Sequence, residues 1–375
     1  MNTTNKADIA IIGGGIVGIA HAYMAAKKGY KIVLFDRSQK AVGASVRNFG
    51  LIWPIGQGIE TLGRAMRSRN HWLEIGKQAN LSIRKNGSLH LAHQKEEMDV
   101  LEEFMQNAPA YGCSLISPEE AFKKNALIKR ENLLGALWSP TELTVNPRES
   151  LERLPLWLEE KYGVILKYGE VVKDIAYPKV TLSSGEIWTA EKVFVCGGSD
   201  FETLYPEIFK HSGLIKCKLQ MMRAKSPIEE KVFGASLCAG LTLGHYASFG
   251  KCPSLEKLRD KFDAEYPDHV RHGIHVLLAI NSHGDLVIGD SHEYSLNPDP
   301  FDKEKINQLI LDYLRSFITI DNFQITERWH GVYPKLPDKT EFMAEPEAGV
   351  KIVTGLSGAG MTLSFGLAEE NIDQM

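Results

Sequence analysis

The hydrophobic pattern of residues 9–36 switches from strand-like to helix-like and back. Apolar residues 9–12 precede a glycine-rich turn, a longer apolar run extends from residue 16 to about residue 28, and residues 31–35 are apolar again. The short runs fit buried strands, whereas the longer run fits a buried helix. The pattern therefore predicts a βαβ unit at the start of the chain.

The turn inside this unit has the spacing G-x-G-x-x-G, with Gly13, Gly15 and Gly18. Gly13 permits the tight turn, Gly15 lets the backbone approach a pyrophosphate, and Gly18 lets the helix pack closely on the strand. Asp36 ends the second strand, where it can accept hydrogen bonds from a ribose. We expect a dinucleotide site here. The alternative, a glycine-rich turn in an ordinary βαβ unit, leaves Asp36 as a coincidence.

The first helix contributes its N-terminus to the same site. Its first N–H groups, at Ile16 and Val17, have no acceptor within the helix, and the helix dipole is positive at this end. A phosphate group is stabilised in such a position. Arg37 directly follows Asp36 and is assigned to the same site.

Further along the chain, the pattern predicts helices, short strands and a hairpin. Helices are expected over residues 58–80, 96–111, 147–162, 303–317 and 361–371. Strands are expected over residues 164–167, 170–176, 180–182, 186–189 and 192–196. The last of these is continuously apolar, as in a buried parallel strand that returns to the first sheet. Residues 81–92 carry an Asn-Gly pair between two β-like runs, which predicts a hairpin, and residues 215–325 alternate in the manner of a second, β-rich region.

A second glycine-rich turn separates two possible cofactors. Residues 350–354 predict a strand, glycines follow at 355, 358 and 360, and a final helix begins. A nicotinamide dehydrogenase has no use for this second turn, but the long FAD molecule does. Its ring gathers negative charge on reduction, which a helix N-terminus stabilises. We assign Gly358, Gly360, Met361 and Thr362 to this role; the alternative is a packing turn.

Composition and charge narrow the class of protein. The chain has 375 residues, of which 43% are hydrophobic and 24% charged, as in a globular enzyme. The net charge of −4 argues against a nucleic-acid partner, and we expect neither a secretory signal nor a membrane span. The five cysteines lack C-x-x-C spacing, so we expect reduced thiols in the cytoplasm. The twelve histidines show no metal-ligand spacing, so we expect no metal site.

Four segments together resemble the D-amino-acid oxidase superfamily, which includes glycine oxidase and sarcosine oxidase. They are the N-terminal unit, the loop 43–50, the segment 329–334 and the run 354–366. The resemblance implies an α/β fold with two discontinuous domains. A Rossmann-like FAD domain with a mixed sheet would comprise residues 1–80, 145–215 and 325–375. An antiparallel-sheet substrate domain would comprise residues 81–144 and 216–324.

The resemblance also implies an activity and further cofactor residues. A hydride would pass from the carbon next to an amine nitrogen to N5 of the flavin, and the resulting imine would hydrolyse; oxygen or another acceptor would reoxidise the flavin. The FAD would be non-covalent, because no cysteine follows Cys252. Family members wrap the flavin with the loop and strand ends that correspond here to Ser45, Arg47, Asn48, Val172, Gly197 and Gly331.

One departure from the family pattern concerns the substrate. Tyr333 stands where many members carry an arginine that grips a carboxylate. We therefore assign Tyr333, His245, Tyr246 and His292 as candidate catalytic or anion-binding residues. Each histidine could instead be structural. Lys335 and Arg223 are further cationic candidates.

The expected substrate is a small primary or secondary amine with an anionic group. The segments 245–249 and 289–292 are similar to a subgroup linked to aminophosphonate breakdown. An amino acid, an N-methyl amino acid and an aminophosphonate are therefore all open. A nicotinamide dehydrogenase and a non-catalytic FAD-binding protein remain alternatives.

Overall fold

The computed structural model describes residues 5–107, 109–320, 322–337 and 339–375. Parts of the predicted segments, residues 1–4, 108, 321 and 338, lie outside the described residues. The helices are α1 (Ile16–Lys27), α2 (Ile59–Ala79), α3 (Lys95–Asn107), α4 (Pro118–Lys124), α5 (Pro147–Tyr162), α6 (Pro206–Lys210), α7 (Glu230–Phe233), α8 (Ser254–Glu265), α9 (Pro267–Arg271), α10 (Glu304–Phe317) and α11 (Gly360–Asp373). Among the described residues, no helix combines the length and the apolar character needed to cross a bilayer.

The strands follow the order of the chain. They are β1 (Asn5–Ile12), β2 (Ile32–Asp36), β3 (Leu51–Ile52), β4 (Ile83–Arg84), β5 (Ser88–Ala92), β6 (Ser114–Ile116), β7 (Gly135–Ser139), β8 (Leu143–Val145), β9 (Ile165–Tyr168), β10 (Val172–Ala176), β11 (Lys179–Leu182), β12 (Ile187–Val195), β13 (Ile215–Lys225), β14 (Ser236–Cys238), β15 (Leu277–Ile280), β16 (Asp285–Gly289), β17 (Glu293–Ser295), β18 (Ile325–Lys335), β19 (Phe342–Glu347) and β20 (Val350–Thr354).

The first sheet is mixed and has β1 near its centre. β1 is parallel to β2 and β12, while β9 and β20 extend the parallel part on either side. β10, β11 and β19 join in antiparallel fashion. The predicted strands at 186–189 and 192–196 form one strand, β12, which returns parallel to β1 as expected. The predicted α/β class with a mixed sheet is confirmed.

Both faces of the first sheet are buried, which explains its near-continuous apolar strands. Ile9 and Ile11 of β1 pack in one cluster with residues of α1, α2, α5 and α11. Ala10 faces the opposite side and packs in a second cluster with Val193 of β12. Successive side chains of a strand point to opposite faces, so a strand covered on both sides must be apolar throughout.

The second sheet has the order β17, β13, β16, β15, β14, β5, β7, β6, with β18 beside β13. Among its described pairs, β14 and β5 run parallel and the others antiparallel. The expected antiparallel sheet therefore contains one parallel pair. β18 pairs with β13 along most of its length, although it lies in the segment that we assigned to the FAD domain. The division into two domains stays a prediction.

The predicted hairpin at Asn86–Gly87 is wrong. β4 pairs with β8 in a small third sheet, whereas β5 pairs with β7 and β14 in the second sheet. β5 is buried throughout and has a partner on each side, so no edge remains for β4. Gly87 keeps the left-handed conformation of a turn, with φ of 62°, but the turn connects two sheets.

The last helix returns to the first one. The Asn371 side-chain amide donates to Nε2 of His21 at 3.0 Å, and Trp72 Nε1 of α2 donates to the Met361 carbonyl at 2.8 Å. β1, β2, β12 and β20 are parallel, so the segments that follow them emerge at one edge of the sheet. Both glycine-rich turns therefore lie at that edge.

Candidate cofactor and substrate site

A cavity of about 220 Å³ lies at the carboxyl edge of the first sheet. It is bounded by the turn after β1, the loop after β2 and the ends of β10 and β12. Seven residues that the sequence assigned to the cofactor line it: Gly13, Gly15, Asp36, Arg37, Ser45, Val172 and Gly197. The fold thus brings together residues from four separate segments of the chain.

A side chain is excluded for different steric reasons at Gly13 and Gly18, whereas Gly15 has space for one. A Cβ on Gly13, which has φ of 111°, would lie 2.3 Å from the Cys196 carbonyl oxygen. A Cβ on Gly18 would lie 1.9 Å from the Gly13 carbonyl oxygen, so close packing of α1 on β1 excludes a side chain. A Cβ on Gly15 would meet only the Ser45 hydroxyl, at 3.1 Å. Gly13 and Gly18 are thus required by the protein itself, whereas the bare backbone at Gly15 faces the cavity and fits a pyrophosphate.

The Asp36 carboxylate is held by the backbone around it. Its Oδ2 accepts from the N–H of Gly14 at 2.7 Å, and its Oδ1 accepts from the N–H of Ser38 at 2.8 Å. Arg37 pairs with Asp200 on the other side of the cavity. Asp36 is therefore fixed at the cavity wall.

The start of α1 has an acceptor within the protein. The hydroxyl of Ser45 accepts from the N–H of Ile16 at 3.0 Å, so Ser45 caps the helix from the loop after β2. Val17 is half-buried and packs against the core cluster of α1. Ser45 thus links the loop to the position where we predicted phosphate binding.

Arg47, Asn48 and Gly331 lie outside the lining of this cavity. Arg47 Nη1 donates to the His330 carbonyl at 3.1 Å, which ties the loop to β18. The Asn48 amide donates to the carbonyls of Ala44 and Ser45 at 3.0 and 2.9 Å. A Cβ on Gly331 would lie 3.3 Å from the Arg47 carbonyl oxygen, so this glycine permits the approach. In the structure Arg47 and Gly331 hold the loop against β18, and Asn48 stabilises the loop itself.

The start of α11 offers free donors, shifted by one residue from the expectation. Gly360 and Met361 occupy the first two helix positions, whose N–H groups have no acceptor within the helix. The N–H of Thr362 donates to the Ala359 carbonyl at 3.0 Å, and its hydroxyl accepts from the N–H of Trp53 at 2.9 Å. Gly358 has φ of 82° and lets the turn approach the ring of Tyr333. This end suits the part of a flavin that becomes negative.

A second group of polar residues lies where β15, β16 and the segment after β14 meet. We call His245, His275 and His292 the histidine cluster. One ligand nitrogen of each lies within 4.8 Å of those of the other two. The ring centroids of His245 and His275 are 3.8 Å apart, and those of His245 and His292 are 4.6 Å apart. Nε2 of His275 lies 3.2 Å from Oδ1 of the buried Asp290.

The histidine cluster is neutral near pH 7. Burial lowers the pKa of His292 to about 4. Part of the His245 side chain is exposed, but protein surrounds it closely. This loss of solvation, followed by the neighbouring imidazoles and Lys335, lowers the pKa of His245 well below its usual range, and burial, His292 and Lys335 do the same for His275. Burial also raises the pKa of Asp290 well above its usual range. Neutral imidazoles keep a lone pair available for a proton or an ion.

Two tyrosines of this region contact segments at the start of α11. The Tyr246 ring packs against Gly56, where a Cβ would lie 2.6 Å from it, and beside Trp53, whose N–H contacts Thr362. Tyr333 is buried and lies 3.3 Å from the Cβ position of Gly358. Burial raises the pKa of both tyrosines well above the usual range, so both are hydroxyl donors.

The two cationic candidates, Arg223 and Lys335, lie in different environments. Arg223 Nη1 lies 3.4 Å from Oε1 of Glu327, so its charge is paired. The Lys335 ammonium lies 5.4 Å from the centre of the Tyr294 ring, and its charge acts on all three members of the histidine cluster. Lys335 is therefore the cation that belongs to this region.

Sequence reasoning missed His275 and gave no role to Asp290. The two residues lie opposite each other, because the N–H of Asp290 donates to the His275 carbonyl at 2.9 Å and the N–H of His275 donates back at 3.3 Å. β15 and β16 form a hairpin, so the start of the first strand must face the end of the second. The register of this hairpin is the feature from which the position of His275 could have been predicted.

Comparison with known proteins gives a family and a fold. The family model DAO, described as "FAD dependent oxidoreductase", matches residues 8–374. Dimethylglycine dehydrogenase from mitochondria of Rattus norvegicus is 27% identical over 169 residues, which cover 44% of this chain and 20% of that protein. The D-amino acid dehydrogenase of Helicobacter pylori is 24% identical over 410 residues, covering 95% of this chain and 92% of the relative.

A solved structure shares the fold over nearly the whole chain. The glycine oxidase of Bacillus cereus ATCC 14579 superposes with a TM-score of 0.77 at 19% identity, covering 98% of this chain and 94% of that one. By contrast, the chain spans only 20% of the length of the rat dehydrogenase that it matches. The similarity of the complete chain therefore lies with proteins of its own size.

Proposed function

Because the chain belongs to the DAO family of FAD-dependent oxidoreductases, we propose that it oxidises the C–N bond of a small amine that carries an anionic group. The predicted family, the predicted cofactor FAD and the predicted class of enzyme are confirmed by this membership. The choice of amine, the residues that act on it and the non-covalent attachment of FAD are our proposals.

The observation that carries the proposal is the position of the histidine cluster. The cluster adjoins Tyr246, and Tyr333 lies near Asp290 behind it. Each tyrosine contacts a segment that touches the start of α11. We propose that α11 faces the flavin ring, so a molecule between the ring and the cluster would meet polar groups on one side. Lys335 adds a positive charge there, which favours an anionic substrate.

We propose that Gly15, Asp36, Val172 and Gly197 hold the adenosine and pyrophosphate of FAD and that the N–H groups of Gly360 and Met361 face its ring. When bound, FAD supplies the acceptor for the hydride that leaves the carbon next to the nitrogen. The bare backbone at Gly15 and the fixed carboxylate of Asp36 fit this role. Non-covalent binding is supported by the absence of cysteine after residue 252 in the sequence.

In the proposed reaction the amine enters without its extra proton. The carbon loses a hydride, the nitrogen loses a proton, and the resulting imine takes up water and separates into a carbonyl compound and an amine. The nitrogen proton passes to water, because an amine that enters neutral needs no strong base, and His245, the exposed member of the histidine cluster, faces the substrate. Tyr246 and Tyr333 can orient the anion as hydroxyl donors. Oxygen or another acceptor would take the electrons.

We favour an aminophosphonate, free or N-methylated, as the substrate. A tetrahedral dianion needs several donors, and Lys335, Tyr246 and Tyr333 form such a set. The relatives named above are named for D-amino acids, glycine and dimethylglycine, so an amino acid or N-methyl amino acid is the second candidate. The five free thiols support a cytoplasmic location.

Anaerobic bleaching of the flavin tests the proposal. The purified yellow protein would be mixed with glycine, sarcosine, proline, D-amino acids, 2-aminoethylphosphonate and its N-methyl form. We expect the aminophosphonates to bleach the flavin fastest. Faster bleaching by an amino acid would show that amino acids, not aminophosphonates, are the substrate class. If no amine bleached the flavin, amine oxidation would be contradicted. Transfer from NADH or NADPH would instead favour a nicotinamide-linked reaction.

A further inference from the structure

We propose that His245, His275 and His292 form a binding site for one divalent transition-metal ion of the zinc class. This proposal reverses our expectation from the sequence, which contained no metal-ligand spacing. The three side chains come from separate segments, and only the pairing of β15 with β16 and the placement of the segment after β14 bring them together.

The distances between the donors suit such an ion. One nitrogen of each imidazole lies within 4.8 Å of the others. Zinc binds imidazole nitrogen at about 2.0–2.1 Å in a tetrahedral arrangement, which separates its ligand atoms by roughly 3.4 Å. Closing the difference needs side-chain movements on the order of 1 Å. The rings of His245 and His275 are stacked, with an angle of 27° between their planes, so binding also requires the exposed His245 side chain to change rotamer and direct its lone pair towards the other two.

The hydrogen bonds of His292 leave its other nitrogen available. Nδ1 of His292 lies 2.9 Å from the Gly273 carbonyl, so this nitrogen carries the hydrogen and Nε2 keeps a lone pair. A metal-binding histidine usually donates its other N–H to a carbonyl or carboxylate, which fixes the ring. His292 therefore has the environment of a metal ligand.

His275 supplies an independent observation. Its side chain is only 4% exposed, and among the described residues its Nδ1 has no hydrogen-bond partner. A buried polar atom without a partner is costly in a folded protein. An ion bound at the cluster would provide the missing partner.

A carboxyl group lies directly behind the histidine cluster. Asp290 is buried, with its carboxylate 3.2 Å from His275 Nε2 and 3.9 Å from His292 Nε2. Other groups near Asp290 are the side chains of Cys217, Tyr246, Tyr294 and Tyr333, and the charge of Lys335 acts on the neighbouring His292. A metal-binding histidine is commonly oriented by a carboxyl group on its other nitrogen, and Asp290 has this position relative to His275.

The role that we infer for the ion rests on the proposed function. Three protein ligands leave one coordination position open, as in catalytic zinc sites. His245 is the accessible member of the cluster, so the open position faces the side from which a substrate enters. A phosphonate or carboxylate oxygen bound there would be held by the ion and by Lys335.

Metal binding is tested first, on the FAD-containing protein and without any amine. The wild type, His245→Asn, His275→Asn and the control His283→Asn would be stripped with a chelator and titrated with Zn²⁺, with the bound metal counted by mass spectrometry. His283 lies in the turn between β15 and β16, away from the cluster. We expect one ion per chain in the wild type and the control, and at least about 100-fold weaker binding in the cluster variants.

Equal Zn²⁺ binding in all four proteins, or none in the wild type, would overturn the site. FAD content and circular dichroism would report folding. If His275→Asn does not fold, His245→Asn still decides the matter, because its ring is accessible and contributes little to the core.

The role of the ion is tested second, by flavin bleaching with and without Zn²⁺. Removal of the metal should raise the KM for the anionic amine at least about tenfold while the FAD content stays constant. An unchanged KM would overturn the role as an anion anchor. If no amine bleaches the flavin while Zn²⁺ binding depends on the histidine cluster, the proposed function has failed and the metal site stands.

Discussion

The cavity at the carboxyl edge of the first sheet and the histidine cluster are built in opposite ways. The cavity is formed largely by backbone: by Gly13 and Gly15, and by N–H groups that hold Asp36. The histidine cluster consists of side chains from three distant segments. A site built from backbone requires particular residues, such as glycines, at adjacent positions, so it can be recognised in the sequence. A site built from side chains of separate segments can be recognised only once the folded structure brings them together.

Two buried histidines make the same contrast. Nδ1 of His21 lies 2.7 Å from the Val17 carbonyl and its Nε2 accepts from Asn371 at 3.0 Å, so both nitrogens are satisfied. Nδ1 of His275 has no partner among the described residues. His21 is therefore a structural histidine, whereas His275 has a ring nitrogen that is available to bind a ligand.

The largest effect is expected in the backbone site. Gly18→Val should destabilise the protein by more than about 3 kcal/mol, because its Cβ would overlap the Gly13 carbonyl at 1.9 Å. The matched control is Gly43→Val, since Gly43 has nothing within 4 Å of its Cβ position and φ of −84°. Urea unfolding would measure both. Similar losses in the two variants would contradict the steric reason given for Gly18.

Acid should reveal the structural histidine. Burial lowers the pKa of His21 to about 4 in the folded protein, from the ordinary value of 6.5 that applies to the unfolded chain. Between these values the unfolded chain binds more protons, so stability falls as the pH drops from 6.5 towards 4, by on the order of 3 kcal/mol for this residue. Urea unfolding at about pH 7 and about pH 5 would measure the slope. The slope should be smaller in His21→Gln; an unchanged slope would assign the effect to other groups.

A smaller effect separates cofactor binding from folding within the first turn. Gly15→Ala should leave the fold intact, because Gly15 has φ of −76° and its Cβ would meet only Ser45. FAD affinity should fall about 10–100-fold, the equivalent of one lost hydrogen bond to a charged phosphate. Fluorescence titration with FAD would measure this, with circular dichroism as the control. Full FAD affinity would mean that the pyrophosphate does not approach Gly15.

The smallest effect is expected at Arg223, the cation that the structure removes from the substrate region. Its charge is paired with Glu327 at 3.4 Å. Arg223→Gln should cost at most about 1 kcal/mol of stability and leave the KM for an anionic amine unchanged. A large rise in KM, measured by steady-state kinetics, would place Arg223 in the site and weaken the contrast between paired and available charges.

Much of the cofactor region could be predicted from local pattern. The glycine spacing, Asp36 and the apolar strands each follow from steric or burial requirements of adjacent residues. In the structure, Gly13, Gly15 and Asp36 line one cavity. The roles of Arg47 and Asn48 could not be predicted in this way. The Arg47 side chain attaches the loop to β18, 283 residues further along the chain, whereas the Asn48 amide binds carbonyls of its own loop, whose conformation depends on that attachment.

The substrate region was only partly predictable. His245 and His292 were marked by their positions at the ends of β-like runs, but His275 was overlooked. The register of the hairpin formed by β15 and β16 places it opposite Asp290. The wrong hairpin at Asn86–Gly87 has a related cause, because the partners of β5 come from distant strands that compete successfully with β4.

The sequence by itself determined the βαβ unit, the cofactor class and the two glycine-rich turns, because positive φ, the need to omit a Cβ and burial on both faces of a strand are properties of neighbouring residues. The tertiary structure decided which polar side chains are satisfied and which remain available. His21 and His275 are both buried in the structure, and the sequence alone does not distinguish their roles. Only the packing of α11 against α1 gives the first its partner, and only the pairing of β15 with β16 turns the second towards His245 and His292.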